Sequence, residues 1–511
     1  MLWLLLLISL DLAVGASFQA TAVQFSPSFN GSWSAQQVVS TNTQRIVTLI
    51  AQAKTSGSSI VVFPEGANGW FQMFTNTKER GFNASETRLE FAKYAEVIPL
   101  AACSDVDAVT SPQIKALCQA AQANSITVIS NLMDIQACSP AGVGDCPADG
   151  RKIWNADVII EPTGLVARKY YKSHLAGEYP NQQQPAKADA FVYQTTFGAK
   201  IGVLICQDIL FASTALFFPQ GSIDVLVWTA FWGDLNPVVV GMNFLQSYSL
   251  LNHVHVIAAD LNQHGGGIIA AGGSYLARLY HGEGNCDLGS ESCTATLSTP
   301  IASPPAPPSF STIGIPLGSG EPCTFGGPTL GPVKVPAHCF KLNEENDAGL
   351  ITAADPFAVG PHGCYAKVAF THLNQTEQYV LMGAVIIDSK PGTLDIPIYR
   401  ICAVLRCPDF PDCAEYPNGV YSTTTVFASL EIGSTASAPV IYGSIATLQT
   451  YATSQAYFVK QPQAWSRVRT TLPSPSQLGG GTIVGISQLG GAPHLTNSGV
   501  LLVLLLLLST L

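Results

Sequence analysis

The sequence predicts an α/β domain followed by a smaller, mostly β domain, and three observations support this prediction. Between residues 17 and 285, short apolar runs alternate with segments of helical spacing, as expected for a layered α/β domain. Beyond residue 286 the chain contains short β-rich runs and eight of its 13 cysteines. A chain of 511 residues is also too long for one ordinary domain.

The elements of the first domain follow from local patterns. A β-rich run, Phe18–Phe25, begins the domain, and Thr41–Lys54 carries apolar residues at helical spacing. Continuous apolar runs predict buried strands, because a strand covered on both faces shows no polar alternation. The remaining predicted elements are the helix Ile114–Ala123, the hairpin Trp154–Ile160 with Leu165–Tyr171, and the strands Ile60–Phe63, Ile126–Leu132, Lys200–Ile205, Asp224–Thr229 and Val254–Ala259.

The second domain is predicted to be a disulfide-rich β domain at 286–465. Its early stretch Leu297–Pro322 is rich in Pro, Ser and Gly, which indicates a long irregular loop. Residues 466–492 are of low complexity and are predicted to form a stalk. The β-rich runs are Tyr379–Ile387, Thr425–Ile432 and Val440–Ile445.

Composition excludes several classes of protein. The 24 basic and 34 acidic residues give a net charge of −10, which argues against nucleic-acid binding because phosphates require clustered Lys and Arg. A hydrophobic content of 47% argues against intrinsic disorder. Internal apolar runs are far shorter than the roughly 20 residues that span a bilayer, so a polytopic membrane protein is also excluded.

The two ends of the chain predict targeting signals. Residues 1–16 contain the apolar run Leu2–Leu10, followed by small residues, and predict a secretory signal peptide; the alternative, an N-terminal anchor, requires a longer run. Residues 493–511 contain the Leu-rich run Val500–Leu511. With a polar spacer and upstream small residues, it predicts a glycosylphosphatidylinositol (GPI) attachment signal that is removed. Ser487 would give a suitable spacer, and a short tail anchor is the alternative.

Three N-glycosylation sequons agree with passage through the secretory pathway. They lie at Asn30, Asn83 and Asn374, each followed two positions later by Ser or Thr. Together with the terminal signals, they predict a glycoprotein that is lipid-anchored at the extracellular face of the plasma membrane.

Cysteine counting singles out one thiol. In an oxidising compartment the cysteines are expected to pair. Four lie before residue 150 and eight lie after residue 280, so each group is even, and Cys206 lies between them. Position alone leaves two interpretations of Cys206 open: an inert buried cysteine or a reactive one.

No metal site is predicted. His253 and His255 share one face of a strand-like run but have no third ligand nearby, so a core or pocket-wall role is favoured. Cys402, Cys407 and Cys413 lack paired two-residue spacing, and disulfides explain them better.

Glu65, Lys172 and Cys206 are candidate catalytic residues because each follows an apolar strand. Sites in α/β sheets assemble at the carboxyl ends of strands. A thiol attacks an amide well when a base takes its proton or a cation stabilises the thiolate. Glu65 could serve as general base and acid, and Lys172 could stabilise the thiolate and the oxyanion. This chemistry needs no cofactor or metal.

The segments around these residues resemble the Glu-Lys-Cys motifs of the nitrilase (carbon–nitrogen hydrolase) superfamily, and most closely its secreted vanin and biotinidase branch. They are Phe63-Pro64-Glu65-Gly66-Ala67-Asn68-Gly69-Trp70, Gly164–Arg168 with Lys172-Ser173-His174-Leu175, and Cys206-Gln207-Asp208-Ile209-Leu210-Phe211. The resemblance spans about residues 17–465 and includes a paired-cysteine segment, Ile401–Cys407.

The resemblance implies a four-layer αββα catalytic domain with a β-rich base domain, and hydrolysis of a linear amide. In vanins the substrate is pantetheine, which yields pantothenate and cysteamine; in biotinidase it is biocytin, which yields biotin and lysine. Glu178 and Asp208 would support the site, and His174 and Trp232 are candidate pocket residues. A homodimer is compatible with the resemblance. The alternative of another class is a catalytically silent surface-binding protein with the same fold.

The sequence departs from the branch beside the nucleophile. Gln207 stands where the branch usually has Phe, Ala212-Ser213-Thr214-Ala215 replaces a His-Asp-Pro-Ala-like stretch, and Gly66-Ala67-Asn68 replaces an acidic run. These departures affect the expected substrate more than the expected chemistry.

Overall fold

The structure is a computed structural model. It describes residues 16–71, 83–139, 146–178, 181–233, 241–261, 266–279, 291–299, 301, 321–325, 335–342, 348–353, 362–372, 378–387, 397–407, 426–434, 440–446, 456–460, 466–470 and 483–491.

Two six-stranded sheets form the first part of the molecule. The first sheet has the order β12-β1-β2-β3-β4-β5, with β1 Ala16–Val23, β2 Ile60–Val62, β3 Thr127–Ala137, β4 Arg151–Ile160, β5 Val166–Tyr171 and β12 Ser292–Thr299. The second has the order β11-β10-β9-β8-β7-β6, with β6 Val192–Gln194, β7 Lys200–Ile205, β8 Val225–Ala230, β9 His255–Asp260, β10 Gly266–Ile269 and β11 Tyr275–Leu279.

The helices of this part are α1 Ala35–Thr55, α2 Ala84–Ala92, α3 Pro112–Asn124, α4 Ala212–Ala215 and α5 Gly241–Asn252. Helix α1 begins earlier than its apolar spacing predicts, because Ser34 and Gln37 form a capping box at its N-terminus. Short 3₁₀ helices lie at Cys103–Asp105 and Cys206–Leu210.

The central strands are buried on both faces, and the two faces pack against different layers. Ile129 and Ile159 of the first sheet pack in one buried cluster with Val203 and Val227 of the second sheet. The opposite face of the first sheet packs on α1 and α3, through residues such as Ile50 and Leu117. Because α5 packs into the cluster of the second sheet, through residues such as Phe244, Leu245 and Tyr248, the order of layers is αββα. This confirms the predicted fold class.

The C-terminal part of the described chain consists of two antiparallel sheets. One has the order β13-β14-β17-β18-β23-β20, with β13 Glu321–Phe325, β14 Val335–Leu342, β17 Tyr379–Ile387, β18 Pro397–Arg406, β20 Val440–Ala446 and β23 Ile483–Gly491. The other has the order β15-β16-β19-β22-β21, with β15 Ala348–Ala353, β16 His362–His372, β19 Val426–Ser434, β21 Ala456–Lys460 and β22 Ser466–Thr470.

Two predicted boundaries differ from the structure. Strand β12 lies beyond residue 285, yet it pairs antiparallel with β1 along its whole length, from Ala16↔Thr299 to Val23↔Ser292. The predicted stalk at 466–492 contains β22 and β23, which pair with β19 and β18. In both cases the strand is fixed by hydrogen bonds to distant parts of the chain, which local composition does not reveal.

Disulfides join Cys103 to Cys118, Cys138 to Cys146, and Cys323 to Cys339. Cys206 is a free, buried cysteine, as the even grouping of the other cysteines predicts. Within the described ranges, no helix is both long and apolar enough to cross a membrane. The terminal signals predicted at 1–16 and 493–511 lie almost entirely outside those ranges.

Candidate active site

Glu65 lies in the turn that follows β2, and its buried carboxylate has three donors. Oε1 accepts hydrogen bonds from Lys172 Nζ at 2.8 Å and from Asn155 Nδ2 at 2.6 Å. Oε2 accepts from the backbone N–H of Phe231 at 3.0 Å. The turn requires glycine at position 66. Gly66 has a φ of +73°, and a Cβ at this position would lie only 3.0 Å from Phe71 Cβ. The carboxylate is therefore held from three directions.

Lys172 follows β5 and lies between two carboxylates. Its backbone N–H donates to the Asn155 carbonyl at 2.9 Å, and its ammonium contacts both Glu65 and Glu178. Lys172 and both glutamates are at most 1% exposed. Burial alone would lower the pKa of Lys172, but the Glu178 and Glu65 carboxylates raise it well above its ordinary value. Lys172 is therefore a fixed cation.

Cys206 occupies a turn that few residues other than glycine adopt. It directly follows β7 and begins the 3₁₀ helix, with a φ of +50°. A left-handed conformation at a cysteine is strained, and such strain concentrates at functional sites. The turn is held in place because Trp228 Nε1 donates to the Cys206 carbonyl at 2.9 Å.

The backbone of Phe231 contacts both the Cys206 thiol and Glu65. Cys206 Sγ lies 3.9 Å from the Phe231 carbonyl oxygen, and the Phe231 N–H donates to Glu65. Burial raises the pKa of the Cys206 thiol well above its ordinary value, and the Lys172 ammonium opposes this shift. The resting Cys206 side chain is therefore a neutral thiol, which would need a base in order to act as a nucleophile.

Asp208 hydrogen-bonds both to the segment that follows Lys172 and to the turn that contains Cys206. Its Oδ1 accepts from the His174 N–H at 2.8 Å, and its Oδ2 accepts from Tyr170 Oη at 2.7 Å. Oδ2 also accepts from the N–H groups of Ser173 and Ile205, each at 3.3 Å. Burial raises the pKa of Asp208 to about 6. Asp208 therefore holds the segment after Lys172 against the turn that begins at Cys206.

The two candidate pocket residues lie in different surroundings. The His174 ring stacks on Phe211, with centroids 3.9 Å apart, and its Nε2 lies 2.9 Å from Ser213 Oγ. Trp232 is buried beside Trp228 and Phe244, with ring centroids at 5.7 and 5.9 Å. His174 therefore lies at the surface near the nucleophile turn, whereas Trp232 forms part of the core behind it.

His255, one of the two histidines on the strand-like run, has both ring nitrogens at hydrogen-bond distance from backbone groups. His255 accepts a hydrogen bond at Nδ1 from the Ala271 N–H, and its Nε2 lies 3.0 Å from the Ser298 carbonyl oxygen. Among the described residues, no group of three His, Cys, Asp or Glu side chains could hold a metal ion. His255 is thus a core residue.

Two of the three sequons lie at the surface. Asn30 is exposed, and its Oδ1 accepts from Ser32 Oγ at 2.8 Å within the same sequon. Asn83 is exposed and caps the N-terminus of α2. The third sequon asparagine, Asn374, lies outside the described residues.

Sequence reasoning missed the polar residues that hold Glu65. Asn155 donates to Glu65, and Asn131 donates to both Asn155 and Asp157. A signal was present, because Asn155 and Asp157 interrupt the otherwise apolar stretch Ile153–Ile160. Buried polar groups require partners, so this interruption indicates a polar network.

Two features together indicate a hydrolase: the fold is an αββα sandwich, and a thiol, an ammonium and two carboxylates lie near the ends of its strands. The profile of the Carbon-nitrogen hydrolase family matches residues 19–281. The chain therefore belongs to the carbon–nitrogen hydrolase family, which is the nitrilase superfamily, as the motifs predict.

Curated relatives place it in the vanin and biotinidase branch. The chain is 26% identical over 219 residues to biotinidase from Takifugu rubripes, covering 41% of each protein. It is 27% identical over 268 residues to pantetheinase from Bos taurus, covering 50% of this chain and 49% of that protein. The matches thus span half or less of the length of these relatives.

The chain is also similar to a solved structure of the same superfamily. Nit3 from Saccharomyces cerevisiae, a member of branch 10 of the nitrilase superfamily, is 20% identical with a TM-score of 0.41, covering 56% of this chain and 92% of that one.

Proposed function

We propose that this protein is an amidase that hydrolyses a linear carbon–nitrogen amide bond through a thioester on Cys206, with pantetheine as its substrate. The observation that carries this proposal is the buried Lys172 ammonium between Glu65 and Glu178, with the strained Cys206 turn joined to Glu65 through Phe231. A group of this kind supplies a nucleophile, a base and an oxyanion stabiliser within one cleft.

In the first half-reaction, Cys206 Sγ attacks the amide carbonyl carbon while Glu65 takes the thiol proton. The negative charge that develops on the carbonyl oxygen is stabilised by Lys172, whose pKa is raised so that it stays cationic. Collapse of the tetrahedral intermediate breaks the carbon–nitrogen bond, and protonated Glu65 gives its proton to the departing amine. A thioester remains on Cys206.

In the second half-reaction, a water oxygen attacks the thioester carbon while Glu65 takes a proton from that water. The carbon–sulfur bond breaks, the thiol regains its proton from Glu65, and the acid leaves. The three donors on Glu65 orient its oxygens for both steps. Glu178 holds the other side of Lys172, so that the ammonium has one stable position.

The relatives support the choice of substrates to test. The matches include pantetheinase from Bos taurus and biotinidase from Takifugu rubripes, so pantetheine and biocytin are the two substrates to compare. We expect cysteamine release from pantetheine, with biocytin as the alternative substrate. Because Gln207 and the Ala212–Ala215 segment depart from the branch beside the nucleophile, the comparison must use both compounds.

The test is an amine-release assay with the secreted full chain and with Glu65→Gln. The glutamine side chain of this variant fills the same volume but cannot take the thiol proton, so release of cysteamine from pantetheine should fall at least 1,000-fold, about 4 kcal/mol. Glu90→Gln makes the same chemical change at a surface ion pair with Lys93, outside the Glu65–Lys172–Cys206 group, and serves as the matched control. Full activity in Glu65→Gln would overturn the proposed mechanism.

We also propose that the protein is secreted, N-glycosylated and anchored by a GPI lipid. Exposure of Asn30 and Asn83 supports glycosylation at both positions. Expression in mammalian cells tests this: phosphatidylinositol-specific phospholipase C should release the protein from the cell surface, and peptide-N-glycosidase should lower its mass. Retention on the surface after lipase treatment would favour a tail anchor instead.

A further inference from the structure

We propose that Asp157 is a positioning residue for the catalytic base Glu65, acting through the side-chain amides of Asn131 and Asn155. This inference rests on the proposed role of Glu65. The four side chains form a continuous buried chain across three strands or strand ends, and each is at most 1% exposed. Asp157 does not contact the reacting atoms, so its effect must pass through the two amides.

The geometry fixes the orientation of the Asn131 amide. Its Oδ1 accepts from the Gly66 N–H at 3.0 Å and from Trp70 Nε1 at 3.3 Å. Its Nδ2 therefore faces β4, where it donates to Asn155 Oδ1 at 2.7 Å and to Asp157 Oδ1 at 3.0 Å. Asp157 supplies one of the two acceptors that hold Nδ2 in that direction.

The orientation of the Asn131 amide determines which end of the Asn155 amide faces Glu65. Because Asn155 Oδ1 accepts from Asn131, the Nδ2 of Asn155 is directed at Glu65 Oε1, 2.6 Å away. A flipped Asn155 would place its oxygen against the Glu65 carboxylate and its amino group against that of Asn131. A donor at this position helps to hold Glu65 Oε1 beside Lys172, where proton transfer requires it.

Asp157 also links the two sheets beside the site. Its Oδ2 accepts from Thr229 Oγ1 at 2.8 Å, and Thr229 belongs to β8 of the second sheet. Two residues further along, the Phe231 N–H donates to Glu65 Oε2. One carboxyl group therefore joins two of the segments that present donors to Glu65: β4, which carries both Asp157 and Asn155, and β8, which contains Thr229 and is followed by Phe231.

The protonation state of Asp157 predicts which substitution should be tolerated. Burial raises the pKa of Asp157 to about 8, and the Glu65 and Asp208 charges add to the shift. The hydrogen bond from Thr229 is donated to the carboxylate; in the protonated form one oxygen still accepts from Asn131, and the O–H at Oδ2 donates to Thr229 Oγ1 instead. An asparagine offers the same acceptor and donor at the same places, whereas a leucine offers neither.

The experiment compares Asp157→Asn, Asp157→Leu and Ile159→Ala in the full chain. Ile159 is buried on the same strand and controls for lost core stability. With pantetheine, we expect Asp157→Asn to keep kcat within threefold, and Asp157→Leu to lower kcat at least tenfold with KM changed less than twofold. We expect Ile159→Ala to lower Tm with kcat unchanged.

A second readout separates this inference from the choice of substrate. The rate of Cys206 alkylation by iodoacetamide depends on Glu65 but needs no substrate, and Asp157→Leu should lower it and shift its pH profile. If wild type is inactive on pantetheine but the alkylation pattern holds, the substrate proposal fails while the inference stands. Unchanged alkylation and kcat in Asp157→Leu would overturn it, as would an Asp157→Asn variant as impaired as Asp157→Leu.

Discussion

Replacing Lys172 with methionine removes the cation that lies between Glu65 and Glu178. Methionine retains most of the volume and the flexible stem, so the change isolates the charge. The two buried carboxyl groups then face each other without a counter-ion. We expect one of them to keep its proton at neutral pH, because two carboxylates that share a site cannot both ionise readily.

The free-energy cost of this protonation sets the expected loss of stability. An exposed glutamate has a pKa of about 4.3, and each pH unit is about 1.4 kcal/mol. Keeping one carboxyl protonated at pH 7 therefore lowers the free energy of unfolding by about 4 kcal/mol, within the range of about 3–5 kcal/mol for breaking a buried ion pair. The unfolded chain binds fewer protons than the variant's folded state, so the loss grows with pH by about 1.4 kcal/mol per unit between pH 5 and 7.

Urea unfolding at pH 5, 6 and 7 measures this loss, with activity followed in parallel. The matched control is Lys169→Met, within β5, where the ammonium donates to Asp134 Oδ2 and to the Ile98 carbonyl, each at 2.8 Å. Lys169→Met should keep kcat, and Lys172→Met should lose it. A pH-independent loss in Lys172→Met, or a loss below about 1 kcal/mol, would refute the reasoning.

Three further predictions follow from the site. Glu178→Gln should lower kcat about 10- to 100-fold in steady-state assays, because a hydrogen bond to a charged group contributes about 1.5–3 kcal/mol; an unchanged kcat would remove Glu178 from the site. Iodoacetamide on the native protein should label Cys206, with loss of activity in step, as peptide mass spectrometry would show; labelling without loss contradicts the assigned role. Asp208→Asn should lower the free energy of unfolding by about 1.5–3 kcal/mol in urea, because an amide cannot replace both oxygens; no loss would show that the His174 N–H bond is dispensable.

Local pattern predicted much of the first domain. The strand Lys200–Ile205 agrees with β7 residue for residue, because a continuous apolar run between a turn and a polar segment has few other interpretations. Strand β3 continues to Ala137, past the predicted end at Leu132. The backbone of this extension pairs with β4, and its polar side chains Asp134 and Gln136 hydrogen-bond to Tyr171 of β5.

Non-local pairing explains what the sequence did not reveal. Strand β12 contacts β1 across more than 270 residues, as Ala22↔Cys293 illustrates, and the Pro- and Gly-rich stretch that follows it suggested a domain boundary instead. Helix α2 was not predicted, because its sequence has little helical periodicity; Asn83 and Glu86 form a capping box that begins it.

Part of the candidate site was likewise predictable from local sequence, and part was not. Glu65, Lys172 and Cys206 were predicted because each ends an apolar strand, and the fold brings such ends together. The bond between Asp157 and Thr229 joins different sheets, so it depends on how the sheets pack. A single sequence can show that Asp157 is polar within an apolar strand, but not which donor it meets.

The most direct test of the central claim is amine release by the full chain and by Cys206→Ala, each incubated with pantetheine and with biocytin. The account predicts that the parent protein releases cysteamine from pantetheine and that Cys206→Ala releases none. Lysine release from biocytin alone would keep the mechanism and change the substrate. Equal release by parent and variant, or a parent that is inactive on both compounds with an unreactive Cys206, would contradict the account.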